Sequence, residues 1–158
     1  MVARTFNYAG VPDGDLQKAQ TRAEAILGKA GIEVSWLDCW LVDREPADAS
    51  PSCRQPLGAT DVMRVGLATP DNGTRFSSMG FSLVDAADGR APCLATMYAN
   101  RVANVARGAG VDARELTGRA IAHEIGHLLL ATNQHAATGL MRAAWSRAEM
   151  RHDNPADW

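Results

Sequence analysis

The stretch HEIGHLLLATNQHAATGLM, residues 123–141, carries three of the four histidines of this 158-residue chain. His123 and His127 are four positions apart, so on a helix both imidazoles leave one face, about one turn apart. Two ring nitrogens in that arrangement can reach one Zn²⁺ at about 2.0–2.1 Å. Glu124 lies beside them and can reach a zinc-bound water without binding the ion. The pattern predicts a zinc-binding helix in which Glu124 is the general base and then the general acid.

The surrounding residues predict a helix from Asp112 to about Ala131. Apolar residues recur at helical spacing through ARELTGRAIAHEIGHLLLA, which indicates that most of this helix is buried. Asp112 and Glu115, three residues later, are expected to form a capping box at its start. The polar side chains within an interior helix need partners, and a metal is one way to provide them.

A catalytic zinc usually has three protein ligands and a water, so a third ligand is required. His135 lies eight residues beyond His127, after the point where the helix must stop. Asn133 tolerates the left-handed conformation and is expected to turn the chain back toward the metal. We therefore favour His135 as the third ligand.

Other residues near the C-terminus could serve instead. Glu149, in a predicted helix at residues 146–151, would give a site of two histidines and one glutamate. His152 and Asp153 are more distant candidates, near a chain end where fraying is expected.

Composition predicts one soluble domain over residues 1–158. The fractions of hydrophobic residues (46%) and charged residues (22%) are ordinary for a globular protein. The net charge of −2 provides no basic field for nucleic acid or an anionic membrane. No apolar run approaches the roughly 20 residues of a membrane span. We expect a monomer that binds neither nucleic acid nor membrane.

The N-terminal sequence and the three cysteines bear on the cellular location. MVARTFNYAGVPDGD lacks an apolar signal-peptide core, so no signal peptide is expected in this chain. Cys39 and Cys53 flank a loop and could form a disulfide in an oxidising compartment, leaving Cys93 over; the alternative is three reduced thiols. We expect a mature secreted or extracytoplasmic domain, with a cytoplasmic location as the alternative.

The remaining sequence predicts an α/β (α+β) fold with a mixed, twisted sheet of about five strands. A strand, a helix capped by Asp13 or Asp15, and a second strand form a βαβ unit, which predicts a parallel pair. The predicted strands are residues 2–9, 32–42, 61–69, 79–85 and 93–99, with helices at 13–28 and within 100–110 and a loop at 43–60. The strand at 79–85 is expected at an edge.

The residues of the opening stretch resemble the metzincin clan of zinc peptidases. Its usual pattern is H-E-x-x-H-x-x-G-x-x-H, followed by a turn that carries a methionine beneath the metal. HEIGH matches, and so does Met141 in TGLM, whereas Leu130 and Asn133 stand where glycine and the third histidine are usual. An insertion of two residues would move the ligand to His135. Predicted bacterial metallopeptidases with HEIGHLLL and a late histidine are also similar.

The resemblance implies an architecture and an activity. It implies an upper lobe over residues 1–131 with the active-site helix, a small lower lobe over 132–158, and an edge strand above the cleft that binds an extended peptide. Met141 would form a hydrophobic base under the zinc. The implied activity is that of a zinc endopeptidase that hydrolyses peptide bonds through a zinc-bound water activated by Glu124. The alternative is a zinc-stabilised binding or regulatory domain without turnover.

Two residues beyond the methionine are weaker candidates. Arg142 could help to stabilise the oxyanion, since no tyrosine or histidine directly after the turn offers itself for that role. Trp145 could line a substrate pocket or cover the core, and the core role is favoured.

Overall fold

The computed structural model describes residues 1–39, 51–55, 62–68, 78–84 and 94–152. A mixed α/β fold is present, as the sequence predicts. In chain order its elements are β1 (Val2–Asn7), α1 (Asp13–Lys29), β2 (Ser35–Asp38), α2 (Pro51–Arg54), β3 (Val62–Ala68), β4 (Gly80–Leu83), β5 (Leu94–Tyr98), α3 (Ala99–Ala109), α4 (Ala113–Leu130) and α5 (Arg147–Arg151).

The strands form one sheet in the order β2-β1-β3-β5-β4. β1 pairs with β2 and β3 in parallel, and β3 pairs with β5 in parallel. β4 is antiparallel to β5 and lies at one end of the order. Among the described residues, β4 is therefore an edge strand, and an edge strand can accept another strand.

Several boundaries differ from the predictions. β1 ends at Asn7, because the Asn7 side chain accepts from the Val11 backbone N–H at 2.9 Å and donates to its carbonyl at 2.7 Å, which closes a turn. The prediction that Asp13 or Asp15 caps α1 is wrong. The helix follows Pro12 without a side-chain cap, and both aspartates lie in the first turn, where negative charge favours the helix dipole.

The second strand and the following loop also differ. β2 starts at Ser35 rather than at residue 32 and runs to Asp38, and residues 40–42 of the predicted strand lie outside the described residues. The short helix α2 lies within the predicted loop 43–60. Cys39 and Cys53 form a disulfide with Cα atoms 5.7 Å apart, which ties the end of β2 to α2. Cys93 lies outside the described residues. Within the described parts, no helix has the length and apolar character of a membrane span.

The main core lies between the sheet and the helices α1 and α4. α4 crosses α1 closely at Gly118, where an added Cβ would lie 2.5 Å from the Ala19 carbonyl oxygen. The buried members of this core are Ala3, Leu16, Ala19, Ala23, Ile26, Leu27, Ala95, Met97, Ala120, Ile121, Ala122, Ile125 and Leu128. Five of them belong to α1 and five to α4, so the packing of these two helices fixes the position of α4.

A second core cluster joins α3, α4 and α5. It contains Val102, Ala106, Ala109, Leu116 and Met150, with Trp145 packed against it. The buried Arg119 of α4 donates to the Met150 carbonyl at 2.9 Å. The active-site helix predicted from the sequence is thus held on one side by α1 and the sheet, and on another by the C-terminal segment.

Candidate metal centre

α4 starts with a capped turn that differs from the predicted capping box. Asp112 is the N-cap and accepts from the Arg114 backbone N–H at 2.9 Å. Glu115 does not complete a box but forms an ion pair with Arg22 of α1 at 3.1 Å. The Arg114 guanidinium and backbone N–H hold the pKa of Asp112 down at about 2.

His123 and His127 face each other on α4, and the structure determines which ring nitrogen carries the hydrogen. The Nδ1 atom of His123 lies 2.7 Å from the Leu140 carbonyl oxygen, and that of His127 lies 2.7 Å from the Thr132 carbonyl oxygen. A carbonyl oxygen can only accept, so both Nδ1 atoms must donate. In the neutral rings both Nε2 atoms are then unprotonated.

These two Nε2 atoms are 3.0 Å apart. Neither atom can donate to the other, so two buried lone pairs lie close together and repel each other. A cation bound to both nitrogens would remove this repulsion. Two nitrogens bound tetrahedrally to one Zn²⁺ stand about 3.3 Å apart, close to the observed separation. Burial is the main cause that lowers the pKa of both rings, to about 4 for His123. Both are therefore neutral near pH 7, the form that binds metal.

The chain turns back after α4 at Ala131 and not at Asn133. Ala131 has φ 48° and ψ 43°, the left-handed conformation, and it is the one described non-glycine residue with positive φ. The Ala131 N–H donates to the Leu128 carbonyl at 3.3 Å, and the Thr132 N–H donates to the His127 carbonyl at 3.2 Å. These two bonds form a Schellman cap, so the prediction for Asn133 is wrong, although that residue lines the cleft.

The turn brings His135 to the other two histidines. Its ring centre lies 4.8 Å from that of His127 and 5.4 Å from that of His123. One ligand atom from each of the three residues lies within 4.8 Å of the others. This donor set fits Zn²⁺, which takes three histidines and leaves a fourth position open in catalytic sites.

The segment after His135 forms a closed loop that places Met141 against α4. The Ala136 N–H donates to the Met141 carbonyl at 2.8 Å, and Gly139 has φ 76° within the turn. An added Cβ on Gly126 would lie 2.5 Å from the Met141 sulfur. Met141 therefore packs on the bare helix backbone at Gly126, one residue before His127.

Glu124 is buried beside the histidines and contacts the edge strand. Its Oε2 accepts from the Ser82 hydroxyl of β4 at 2.7 Å. Burial raises the pKa of Glu124 to about 7, against the opposing effect of the Ser82 hydrogen bond. A nearby divalent cation would favour the charged form and lower this pKa. The carboxylate thus lines the same cleft as the three histidines.

The alternative ligand candidates are engaged elsewhere or stand apart. The Glu149 carboxylate accepts from the Ser146 backbone N–H at 2.7 Å, in a capping box that starts α5, and pairs with Arg142. The Glu149 carboxylate offsets the positive charge of the Arg142 guanidinium, which makes Arg142 a poorer candidate for stabilising an oxyanion. His152 is exposed at the end of α5, outside the histidine group. Asp153 lies outside the described residues.

The histidines open into a cleft of about 580 Å³ between β4 and the segment after Met141. Trp145 both lines this cleft and packs on the second core cluster. Its ring is nearly perpendicular to that of His123, with 5.7 Å between the ring centres. Tyr98 also lines it and contacts Phe81 at 6.0 Å between ring centres. No sequence pattern singled out Tyr98 as a cleft residue, because a tyrosine at the end of a strand is also an ordinary packing residue.

The fold is similar to that of a zinc-dependent peptidase from Methanocorpusculum labreanum, known from a crystal structure. The two chains share 16% identity, the TM-score is 0.60, and the match covers 94% of this chain and 91% of that chain. No protein-family model matches the sequence, and no curated protein does. At this identity the likeness shows a shared fold over nearly the whole of both chains.

Proposed function

We propose that this protein is a zinc-dependent endopeptidase of metzincin type, with zinc bound by His123, His127 and His135. The observation that carries the proposal is the 3.0 Å separation of two buried Nε2 atoms whose rings both donate through Nδ1 to carbonyl oxygens, with a third histidine beside them. Two facing lone pairs without a partner would destabilise a purely structural core, whereas a metal site requires such lone pairs as ligands. The likeness to a zinc-dependent peptidase supports the same choice.

Zinc bound there would lower the pKa of a water and polarise the scissile carbonyl. Glu124, next to this position, accepts the proton of the attacking water and then delivers it to the leaving amine. Burial keeps bulk water from competing for the carboxylate. Met141 supports the site from below by filling the space that Gly126 leaves against α4.

The substrate we propose is an extended peptide or protein segment that adds to the free edge of β4. Such binding uses backbone hydrogen bonds and leaves selectivity to the pockets around the metal. The apolar residues Met79, Phe81, Tyr98, Ala143, Ala144 and Trp145 line the cleft. The charge of Arg142 is already paired with Glu149. Uncharged side chains next to the scissile bond should therefore be preferred.

We further propose that the protein works as a monomer outside the cytoplasm. The Cys39–Cys53 disulfide supports the location, because such bonds persist in oxidising compartments. The two lobes, residues 1–131 and 132–158, would act as one domain. The net charge of −2 argues for peptide substrates over nucleic acid or an anionic membrane.

The activity is tested with the purified, zinc-loaded protein on a broad peptide library. Glu124→Gln keeps the shape of the side chain but removes the base, so turnover should fall by about 100-fold or more while zinc stays bound. A non-catalytic zinc domain is the conclusion if the wild-type protein cleaves nothing, or if Glu124→Gln cleaves as fast as the wild type.

The ligand set is tested by metal analysis of single variants. His135→Ala should strip zinc at concentrations that the wild type retains, because only two protein ligands remain. His152→Ala is the matched control, since it removes an exposed histidine outside the group, and should keep full occupancy. Zinc loss in Glu149→Ala with full retention in His135→Ala would instead establish the two-histidine, one-glutamate site.

A further inference from the structure

Two alternate residues of β4 contact the Glu124 carboxylate. Gly80 and Ser82 are two positions apart in the strand, so they face the same side of the sheet, toward α4. Ser82 donates to Oε2 of Glu124. An added Cβ on Gly80 would lie 2.6 Å from the Thr96 carbonyl oxygen, 2.8 Å from the Met97 Cε atom and 3.1 Å from Oε1 of Glu124, so packing against β5 already favours a glycine there. One carboxylate oxygen is thus held by a hydroxyl.

The Ser82 hydroxyl has a choice of two acceptors. It lies 2.7 Å from Oε2 of Glu124 and 2.8 Å from the backbone carbonyl oxygen of the same residue. A hydroxyl has one hydrogen to donate, and an ionised carboxylate is the stronger acceptor. The hydrogen bond from Ser82 to the Glu124 carboxylate is therefore favoured over the one to the backbone carbonyl.

We propose that Ser82 is a positioning residue for the general base. The inference rests on the proposed peptidase function. Ser82 fixes the direction of the Glu124 carboxylate through its hydrogen bond to Oε2. The strand that receives the substrate therefore also aligns the base that acts on it.

Ser82 lines the cleft, but its hydroxyl is separate from the backbone edge of β4 that would bind the substrate. The side chains of Phe81 and Leu83 alternate with those of Gly80 and Ser82 and are 38% and 53% exposed. The Ser82 hydroxyl is turned toward α4, so its removal leaves the free backbone edge of β4 unchanged. Loss of the hydroxyl should lower kcat and leave KM in place, because an effect on the transition state alone changes kcat.

The test uses Ser82→Ala, Ser82→Thr and a matched control, Ser35→Ala. The control removes an exposed strand serine at the opposite end of the sheet order. For Ser82→Ala we expect kcat to fall by about 10-fold or more, the effect of losing one hydrogen bond to a charged group. KM and zinc content should stay at the wild-type level. Ser82→Thr keeps a hydroxyl and should restore most of kcat, and Ser35→Ala should match the wild type.

Three kinetic results would overturn the inference: an unchanged kcat in Ser82→Ala, a rise in KM alone, or a loss in Ser82→Thr as large as in Ser82→Ala. A second readout does not depend on turnover. Crystal structures of zinc-loaded wild type and Ser82→Ala should show the Glu124 carboxylate displaced or spread over several positions in the variant. A carboxylate that superimposes on the wild type would refute the positioning role even if no peptide is cleaved. Absence of wild-type cleavage would by itself count against the peptidase proposal.

Discussion

Gly118 offers a sharp test of how α4 is held in place. It lies in the interior of α4, at the crossing with α1, where an added Cβ would be 2.5 Å from the Ala19 carbonyl oxygen and 2.6 Å from the Arg22 Cβ. Both neighbours belong to or adjoin the backbone of α1, so neither can rotate away. Gly118→Ala therefore forces the two helices apart.

The expected magnitude follows from two opposing effects. A carbon–oxygen contact needs about 3.3 Å, so the helices must separate locally by roughly 0.8 Å. Overpacking of this kind costs about 1–3 kcal/mol, and a rigid backbone neighbour favours the upper end. Alanine gains about 1 kcal/mol over glycine in a helix interior. The clash wins, and the free energy of unfolding should fall by about 2 kcal/mol, or about 4–8 °C in Tm.

The assay is urea unfolding followed by circular dichroism, with the disulfide intact and zinc removed by chelation, so that metal binding does not contribute. Gly108→Ala in α3 is the matched control, because a Cβ there meets nothing within 4 Å. It lies near the helix end and should raise stability by about 0.5 kcal/mol. A Gly118→Ala protein as stable as the wild type, or an equal loss in Gly108→Ala, would refute the reasoning.

Three further predictions concern the turn, the metal and the start of α4. Ala131→Gly should raise the free energy of unfolding by about 0.5–1 kcal/mol, since glycine adopts the left-handed conformation without strain; an unchanged urea midpoint would contradict this. Chelation should lower Tm and added zinc restore it, because a ligand present at a thousand times its Kd stabilises the folded state by about 4 kcal/mol; a Tm insensitive to chelation would count against the site. Asp112→Ala should cost about 1 kcal/mol at neutral pH. The folded-state pKa of Asp112, about 2, lies below that of an unfolded aspartate, so its contribution is complete above about pH 4 and is lost as the pH falls toward 2. Equal gaps between wild type and variant at pH 7 and at pH 2 would exclude this origin.

Local rules predicted a good part of the fold and the site. The i, i+4 spacing of His123 and His127 requires only a helix, and α4 runs from Ala113 to Leu130, close to the predicted bounds. The strand–helix–strand order predicted that β1 and β2 are parallel, and they are. A helical crossover between neighbouring strands of one sheet leaves few alternatives. The spacing also drew attention to His135, because few other residues could complete the site.

Contacts between distant residues could not be predicted in this way. A capping box would pair Glu115 with the nearby Asp112, and the sequence suggests only this local partner. The actual partner is Arg22, which is distant in sequence. Ala131 adopts a conformation that its residue type disfavours, because the cap bonds to His127 and Leu128 outweigh a strain of about 1 kcal/mol. Ser82 is an ordinary strand residue until α4 is placed beside β4.

Carbonyl groups on either side of His135 orient the two histidines of α4. The loop carbonyls of Thr132 and Leu140 fix the tautomers of His127 and His123. The segment that delivers the third ligand thus also orients the first two. Thr132 lies between the end of α4 and His135. Its hydroxyl accepts from the Gln134 N–H at 3.1 Å, which stabilises the turn. Shortening this loop at Thr132 would therefore disturb the direction of His127 as well as the position of His135.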